Sequence, residues 1–250
     1  MTNPILLPDE HIDEVNDRIR LIQKSGALAF GTDAYLLSAF LRPAPRAHAV
    51  ELGCGNGIIS LLAMARGRFS RITALEIQHE MAELSARNVT LNSLAGRIAI
   101  EQCDVRILTP TALGGEVEVV FANPPYMRAD SGFASPSAQK QTARHETEGG
   151  IADFAAAAGR CLKYGGLFYV VYRPDRLESL FAALKDARLA PKRMVFVHDH
   201  PGAAPSMILL EAKKGAGEGL VILPPLLLHD RVGDTALSAR AQEIYDNGSF

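Results

Sequence analysis

His48-Ala49-Val50-Glu51-Leu52-Gly53-Cys54-Gly55-Asn56-Gly57 is the stretch whose reading decides the fold. Its first five residues make a short strand that runs into three alternating glycines, and 58–65 continue as an apolar helix. The same alternation then repeats downstream. Residues 71–75 read as a strand, 79–91 as a helix with Met81, Leu84 and Leu91 near one face, and 98–100 as a third strand. The run 117–122 is nearly all apolar, as a central strand covered on both faces must be. Ile151, Phe154, Ala155, Ala158 and Leu162 recur at helical spacing. Gly165-Gly166 reads as a turn into a strand at 167–172, and Leu177, Leu180, Phe181 and Leu184 mark another helix. Val195-Phe196-Val197 and Met207-Ile208-Leu209-Leu210, joined by a Gly/Pro loop, read as a closing antiparallel pair. This pattern predicts an α/β, Rossmann-like, doubly wound and mostly parallel sheet with an antiparallel last strand. In such sheets ligands sit at the carboxyl ends of the strands, so the residues just past each strand carry the chemistry.

Outward from this core, three segments are expected: a preface at 1–45, the α/β domain at 46–214, and an extension at 215–250 packed on it, without clear period. In the preface, Arg18-Ile19-Arg20-Leu21-Ile22 alternates as a half-buried strand does. Ser25-Gly26 signals a turn, and Ala27-Leu28-Ala29-Phe30 offers the returning strand. Thr32 or Asp33 can cap a helix through Tyr35, Leu36, Leu37 and Phe40, which Pro43 and Pro45 stop. The irregular stretch 127–148 is rich in Ser, Ala, Gln and charges. Loops of that length are functional or disordered, and this one is expected to be poorly ordered without substrate.

A chain of 250 residues fits one large domain, and no internal repeat is found. A formal net charge of −2 gives no global basic field, so contact with RNA must be local. Lys192-Arg193, Lys213-Lys214, Arg128, Lys140 and Arg144 are the candidates for such a surface. Cys54, Cys103 and Cys161 lie far apart with no CxxC pair, which argues against a disulfide framework and against a zinc or other metal site. No basic n-region precedes an apolar run, and no apolar run reaches membrane-spanning length. A cytoplasmic, reducing location is expected, with the oligomeric state open.

The glycine spacing is GxGxG, not the GxGxxG of dinucleotide binding. A loop under a smaller zwitterion is therefore expected, and the amino-acid part of S-adenosylmethionine is such a group. Glu76 ends the second strand, where an acid can accept both ribose hydroxyls. Asp104 follows the third strand, where a carboxylate can accept from an adenine amino group. The expected cofactor set is Glu51, Gly53, Gly55, Gly57, Glu76, Asp104 and Asn123, with Thr32 and Asp33 serving either there or only as helix caps.

The most specific signal is Asn123-Pro124-Pro125-Tyr126, directly after the central strand. An exocyclic amino nitrogen is a weak nucleophile because its lone pair is delocalised into the ring. Two acceptors that bind its hydrogens draw it toward a pyramidal geometry. The Asn123 side-chain oxygen and the Pro124 carbonyl are the candidates. Pro125 restricts the residue before it to an extended shape, which aims that carbonyl, and Tyr126 can stack on a planar group. Methyl transfer from a sulfonium needs an aligned acceptor more than a base, so positioning carries most of the catalysis.

Together the glycine loop, Glu76, Asp104 and Asn123 to Tyr126 resemble the Rossmann-like N-methyltransferases with an NPPY motif. Four further segments, Phe30-Gly31-Thr32-Asp33-Ala34, Ala143-Arg144-His145-Glu146, Arg173-Pro174-Asp175-Arg176-Leu177 and Leu223-Pro224-Pro225-Leu226, resemble the bacterial tRNA1(Val) adenine N6-methyltransferase family. That resemblance implies S-adenosylmethionine as cofactor, an adenine in tRNA as substrate, and a substrate loop including Arg128, Arg144 and His145. Met127 and Tyr164 depart from the family's usual residues at their positions. A protein-glutamine N5-methyltransferase is the runner-up, since a side-chain amide offers the same two hydrogens. A nicotinamide-dependent oxidoreductase and a non-catalytic RNA-binding module are the readings from other classes.

Overall fold

A computed structural model describes residues 6–24, 31–125 and 149–250. Tyr126, the loop 127–148 with Arg128, Lys140, Arg144 and His145, and the segment Ala27-Leu28-Ala29-Phe30 lie outside these residues.

The main sheet follows the alternation of the sequence. Strands β3 (Ala44–Leu52), β4 (Phe69–Glu76), β5 (Ile98–Gln102), β6 (Val117–Ala122) and β7 (Leu162–Tyr172) run parallel. Strand β9 (Pro205–Lys214) enters antiparallel to β7, and β8 (Leu189–His198) pairs antiparallel with β9. The order is β5-β4-β3-β6-β7-β9-β8, with β10 (Val221–Ile222) and β11 (Leu226–Leu227) added along β8. Val195 faces Leu209 and Val197 faces Met207, as the expected closing pair requires.

The strand interiors alternate between two cores. Ala49, Phe121, Tyr169 and Val171 face one side with helices α1 (Thr32–Phe40) and α2 (Ile58–Ala65). Val50, Val120, Phe168 and Val170 face the other side with α4 (Ile151–Cys161) and α5 (Leu177–Asp186). Helix α3 (His79–Leu91) adds Val89 to the first core, and α6 (Ala239–Asn247) adds Ala241 and Ile244. Both faces of the sheet are therefore covered, which is why the central strands read as unbroken apolar runs.

Several sequence expectations are corrected. Strand β2 (Arg20–Lys24) pairs with the upstream strand β1 (Glu10–Glu14), Ile12 against Ile22, a partner the sequence did not suggest; the expected returning strand at 27–30 lies outside the described residues. Neither Thr32 nor Asp33 caps α1: the cap is Gly31, without a side-chain bond, and Asp33 lies within the first turn. Gly165-Gly166 does not precede β7 but lies inside it. Val117 pairs with Leu162 and Val119 with Leu167, so the extra residues bulge out of the ladder, with Gly165 at φ +79°. The tail holds a regular helix, α6, capped by the Ser238 hydroxyl on the Ala241 N–H and closed by Gly248 in the left-handed region.

Three of the expected RNA-binding cations are also spoken for. Arg193 stacks over Phe40 at 4.1 Å and pairs with buried Glu211 at 3.2 Å. Lys192 donates to the carbonyls of Gly217 and Glu218, and Lys214 pairs with Glu116 at 3.6 Å. Distant partners tie these charges into the scaffold, which no local pattern could show. Among the described residues, no helix is long and apolar enough to cross a membrane, and no cluster of candidate metal ligands occurs.

Candidate active site

The carboxyl ends of β3, β4 and β6 converge on a cavity of about 160 Å³. Gly53, Gly55, Glu76, Asn123 and Pro125 line it, with the Phe154 ring of α4 as an apolar wall. The sequence argument brought these residues together from strand-end positions alone. It missed Ile77, Gln78, Cys103 and Val105, which also line the cavity, and Phe154. The first four flank the two strand-end acids, so the same strand-end rule could have found them.

The glycine loop is shaped by what stands behind it. Gly57 has φ +84°, and a Cβ there would meet the Ser85 hydroxyl at 2.4 Å, so only glycine fits. Gly55 also lies in the left-handed region, at φ +55°, but a Cβ there would meet no atom within 4 Å. Its bare backbone thus faces open space on the cavity side, as a close-approaching ligand needs. Glu76, buried at the end of β4, accepts from the Gly55 N–H at 2.9 Å with Oε2 and from the Gln78 N–H at 3.0 Å with Oε1. One carboxylate thereby fixes both the loop and the turn into α3. From behind, the wholly buried Asn88 donates to the Asn56 carbonyl at 3.0 Å.

Glu51 sits one layer below the loop, 1 % exposed. Its Oε2 accepts from the Ser60 backbone at 3.1 Å and from the Ser60 hydroxyl. Among the described residues its Oε1 has no hydrogen-bond partner. Burial pushes the Glu51 carboxyl up to about 8, against the opposing pull of Ser60. Burial also pushes the Cys54 thiol up, which suits a packing role and not a nucleophile.

Asp104 stands after β5 but not in the cavity lining. Its two oxygens take the Arg106 guanidinium, and Oδ1 also accepts the Arg106 N–H at 2.9 Å, capping a short 3-10 turn. The Arg106 hydrogen bonds hold its carboxyl below the usual range. Thr32 and Asp33 do not line the cavity either. The Asp33 Oδ2 instead accepts from the Asn123 Nδ2 at 2.7 Å. Pro124 is buried beside Asn123.

A larger cleft, about 860 Å³, opens near the carboxyl end of α2, beside Tyr35, Arg66 and Tyr245. It lies at the opposite end of α2 from the glycine loop, away from the strand ends where ligands bind in this architecture. Its cations are engaged: Arg66 donates to the Ser38 hydroxyl, and Arg68 donates to the carbonyls of Ala39 and Gly248.

S-adenosylmethionine fits the smaller cavity on three counts. The Gly55 backbone is open to a ligand, Glu76 lines the cavity where ribose hydroxyls would lie, and Glu51, which like Gly57 is not in the lining, keeps a buried unpartnered oxygen at the foot of the loop. The glycine loop and Glu76 would hold it.

Comparison with known proteins shows the family and the fold. Residues 25–187 match the methyltransferase small domain family. A tRNA1(Val) (adenine(37)-N6)-methyltransferase of Phocaeicola vulgatus is 32 % identical over 75 % of this chain and 77 % of its own length. One of Porphyromonas gingivalis is 28 % identical over 78 % of each chain. Among solved structures, a predicted O-methyltransferase of Agrobacterium tumefaciens superposes with TM-score 0.70 at 23 % identity, over 87 % of this chain and 97 % of that one. The M. jannaschii tRNA m1G37 methyltransferase superposes with TM-score 0.52 at 18 % identity, over 84 % and 58 %. At these identities the superpositions speak for the class I methyltransferase fold alone, whose cofactor is S-adenosylmethionine. The chain belongs to the methyltransferase small domain family and is akin to the tRNA1(Val) (adenine(37)-N6)-methyltransferases.

Proposed function

We propose that this chain transfers a methyl group from S-adenosylmethionine to the N6 amino group of an adenine in tRNA. The observation that carries the reading is that Asn123 and Pro125, at the end of β6, line the same cavity as the glycine loop and Glu76. An amine acceptor and the cofactor's methyl end would thus meet in one place. The names of the relatives support adenine in tRNA as the acceptor, and the cytoplasm is the compartment that such a substrate requires.

S-adenosylmethionine, when bound, supplies a methyl carbon activated by its sulfonium. The chain's own part is positional. Asn123 and the Pro124 carbonyl are proposed to hold the two amino hydrogens, so that the nitrogen lone pair aims at that carbon. As the nitrogen–carbon bond forms and the sulfur–carbon bond breaks, the nitrogen becomes cationic and then releases a proton to water. Phe154 and the buried loop keep one wall of the cavity apolar. Tyr126 and the loop with Arg128, Arg144 and His145 remain the proposed stacking and substrate-binding elements. The base must be unstacked or flipped to reach the cavity.

Incubation with methyl-labelled S-adenosylmethionine and separate tRNA, rRNA, DNA and protein fractions tests the reading. Label in the tRNA fraction is expected. Label confined to protein would favour the glutamine-amide alternative and overturn the RNA substrate.

A further inference from the structure

We propose that Asp33 is a positioning residue for methyl transfer: it grips the Asn123 side chain by its nitrogen and so turns the amide oxygen toward the acceptor amine. This rests on the N6-methyltransferase reading above and names the part of the site that makes Asn123 an acceptor.

A primary amide has two edges of nearly the same shape, one an acceptor and one a double donor. Rotated by half a turn about its last bond, Asn123 would present N–H groups to an amine that itself brings two N–H hydrogens, and the contact would repel. Some group must therefore select one rotamer. The Asp33 Oδ2 lies 2.7 Å from the Asn123 Nδ2. A carboxylate only accepts hydrogen bonds, so the edge turned to it has to be the NH2 edge, and the charge strengthens the bond. The oxygen consequently faces away from Asp33, on a residue that lines the cavity.

Asp33 is itself held in place. Its Oδ1 accepts from the Ala34 N–H at 2.9 Å. A Cβ at Gly31 would fall 2.4 Å from that same oxygen, so glycine at 31 leaves room for the carboxylate. The first turn of α1 leans on α6: the Tyr35 ring stacks on that of Tyr245 with centroids 4.4 Å apart and planes 9° from parallel. Asp33 does not line the cavity while Asn123 does, so the influence of Asp33 on the reaction passes through Asn123. A direct cofactor contact by Asp33 is the competing reading, and the two differ in what its removal does.

The test measures three quantities on wild type, Asp33→Ala, Asp33→Asn, Asn123→Ala and the Asp33→Ala/Asn123→Ala double variant. They are single-turnover transfer to tRNA, calorimetric affinity for S-adenosylhomocysteine, and the side-chain amide NMR signals of ¹⁵N-labelled protein. The Asn123 signal is assigned by its loss in Asn123→Ala. Asp33→Ala is expected to slow transfer roughly a hundredfold, as small misplacements at a reacting centre do. Its cofactor affinity should stay at the wild-type value and its Asn123 amide protons should move upfield. The isosteric Asp33→Asn, which keeps a neutral acceptor and serves if Asp33→Ala does not fold, should give an intermediate rate and an intermediate shift. In the Asn123→Ala background, removing Asp33 should cost nothing more. Wild-type transfer in Asp33→Ala, additive losses in the double variant, weakened cofactor affinity with an unchanged saturated rate, or an unmoved amide signal would each overturn the proposal. If wild type labels no tRNA but the amide signal still moves on Asp33→Ala, the amide grip stands and the substrate reading falls.

Discussion

Asn123 is the residue on which the proposed chemistry turns, because it stands at the end of the central strand and in the lining of the cavity. Asn123→Ala is expected to slow single-turnover methyl transfer by about a hundred- to a thousandfold. Calorimetry with S-adenosylhomocysteine should show unchanged affinity, since the loop and Glu76 remain. Glu76→Ala should do the reverse. It removes the acceptor for the Gly55 and Gln78 N–H groups as well as the proposed ribose contact, and should weaken S-adenosylhomocysteine binding by at least about 1.5 kcal/mol. Glu51 adds a pH dependence. Its carboxyl titrates near 8 in the folded chain against an ordinary 4.5, so between these values the folded state keeps a proton that the unfolded chain has lost. The proton-linked stability is complete below 4.5 and drains away as pH rises toward 8, at a slope of up to about 1.4 kcal/mol per pH unit from this group. Thermal melts of Glu51→Gln should lose that part of the slope and exceed wild type at pH 8. The strand-end acids and Asn123 were legible in the sequence because strand alternation fixes where a chain leaves a sheet. The partners of Asp104 and Asp33 were not. Arg106 and Asn123 claim their oxygens through side-chain geometry that spacing does not encode.

At the scale of elements, the N-terminal hairpin is fastened to the glycine loop by one face of α3. Asn88 accepts the Ile22 N–H at 2.6 Å and donates to the Ile22 carbonyl, and Asn92 does the same for Arg20 at 2.9 Å and 2.7 Å. One helical turn apart, the two asparagines take the place of a neighbouring strand for β2. Asn88→Ala strands two buried backbone groups of β2 and releases the Asn56 carbonyl, so it should cost about 1–3 kcal/mol in a denaturant melt. A cost within 0.3 kcal/mol of zero would contradict that role. The sequence showed β2 by its alternation but not its partner β1, because the acidic stretch Glu10–Glu14 has no apolar stripe to announce a strand. Helix α6 escaped notice for a similar reason. Its buried contacts reduce to Ala241 and Ile244, too few for a period, though Ser238 before it and Gly248 after it are ordinary helix end signals.

For the whole molecule, direction along the sheet decides where RNA can meet the site. Lys213 pairs with Ala190 and lies opposite Leu167, so Lys213 and Lys214 sit toward the amino ends of the parallel strands, while Arg193, opposite Glu211 and level with Tyr169 and Phe121, lies three strands across the sheet from Asn123. Arg193→Ala should therefore lower stability by about 1–3 kcal/mol, because Glu211 loses a buried partner, while transfer to tRNA at saturation stays at the wild-type rate. The doubly wound architecture and its closing antiparallel pair were legible from strand and helix periods. The fate of individual surface charges was not, since Glu211 meets Arg42 and Arg193 only after the sheet has assembled. Methyl transfer to an adenine amino group in tRNA is proposed to take place in the cavity at the ends of β3, β4 and β6. Its most direct test is mass spectrometry of nucleosides from tRNA treated with the protein and deuteromethyl S-adenosylmethionine. Labelled N6-methyladenosine is expected with wild type and none above background with Asn123→Ala; label in any other nucleoside, or equal labelling by both proteins, would rule that site and acceptor out.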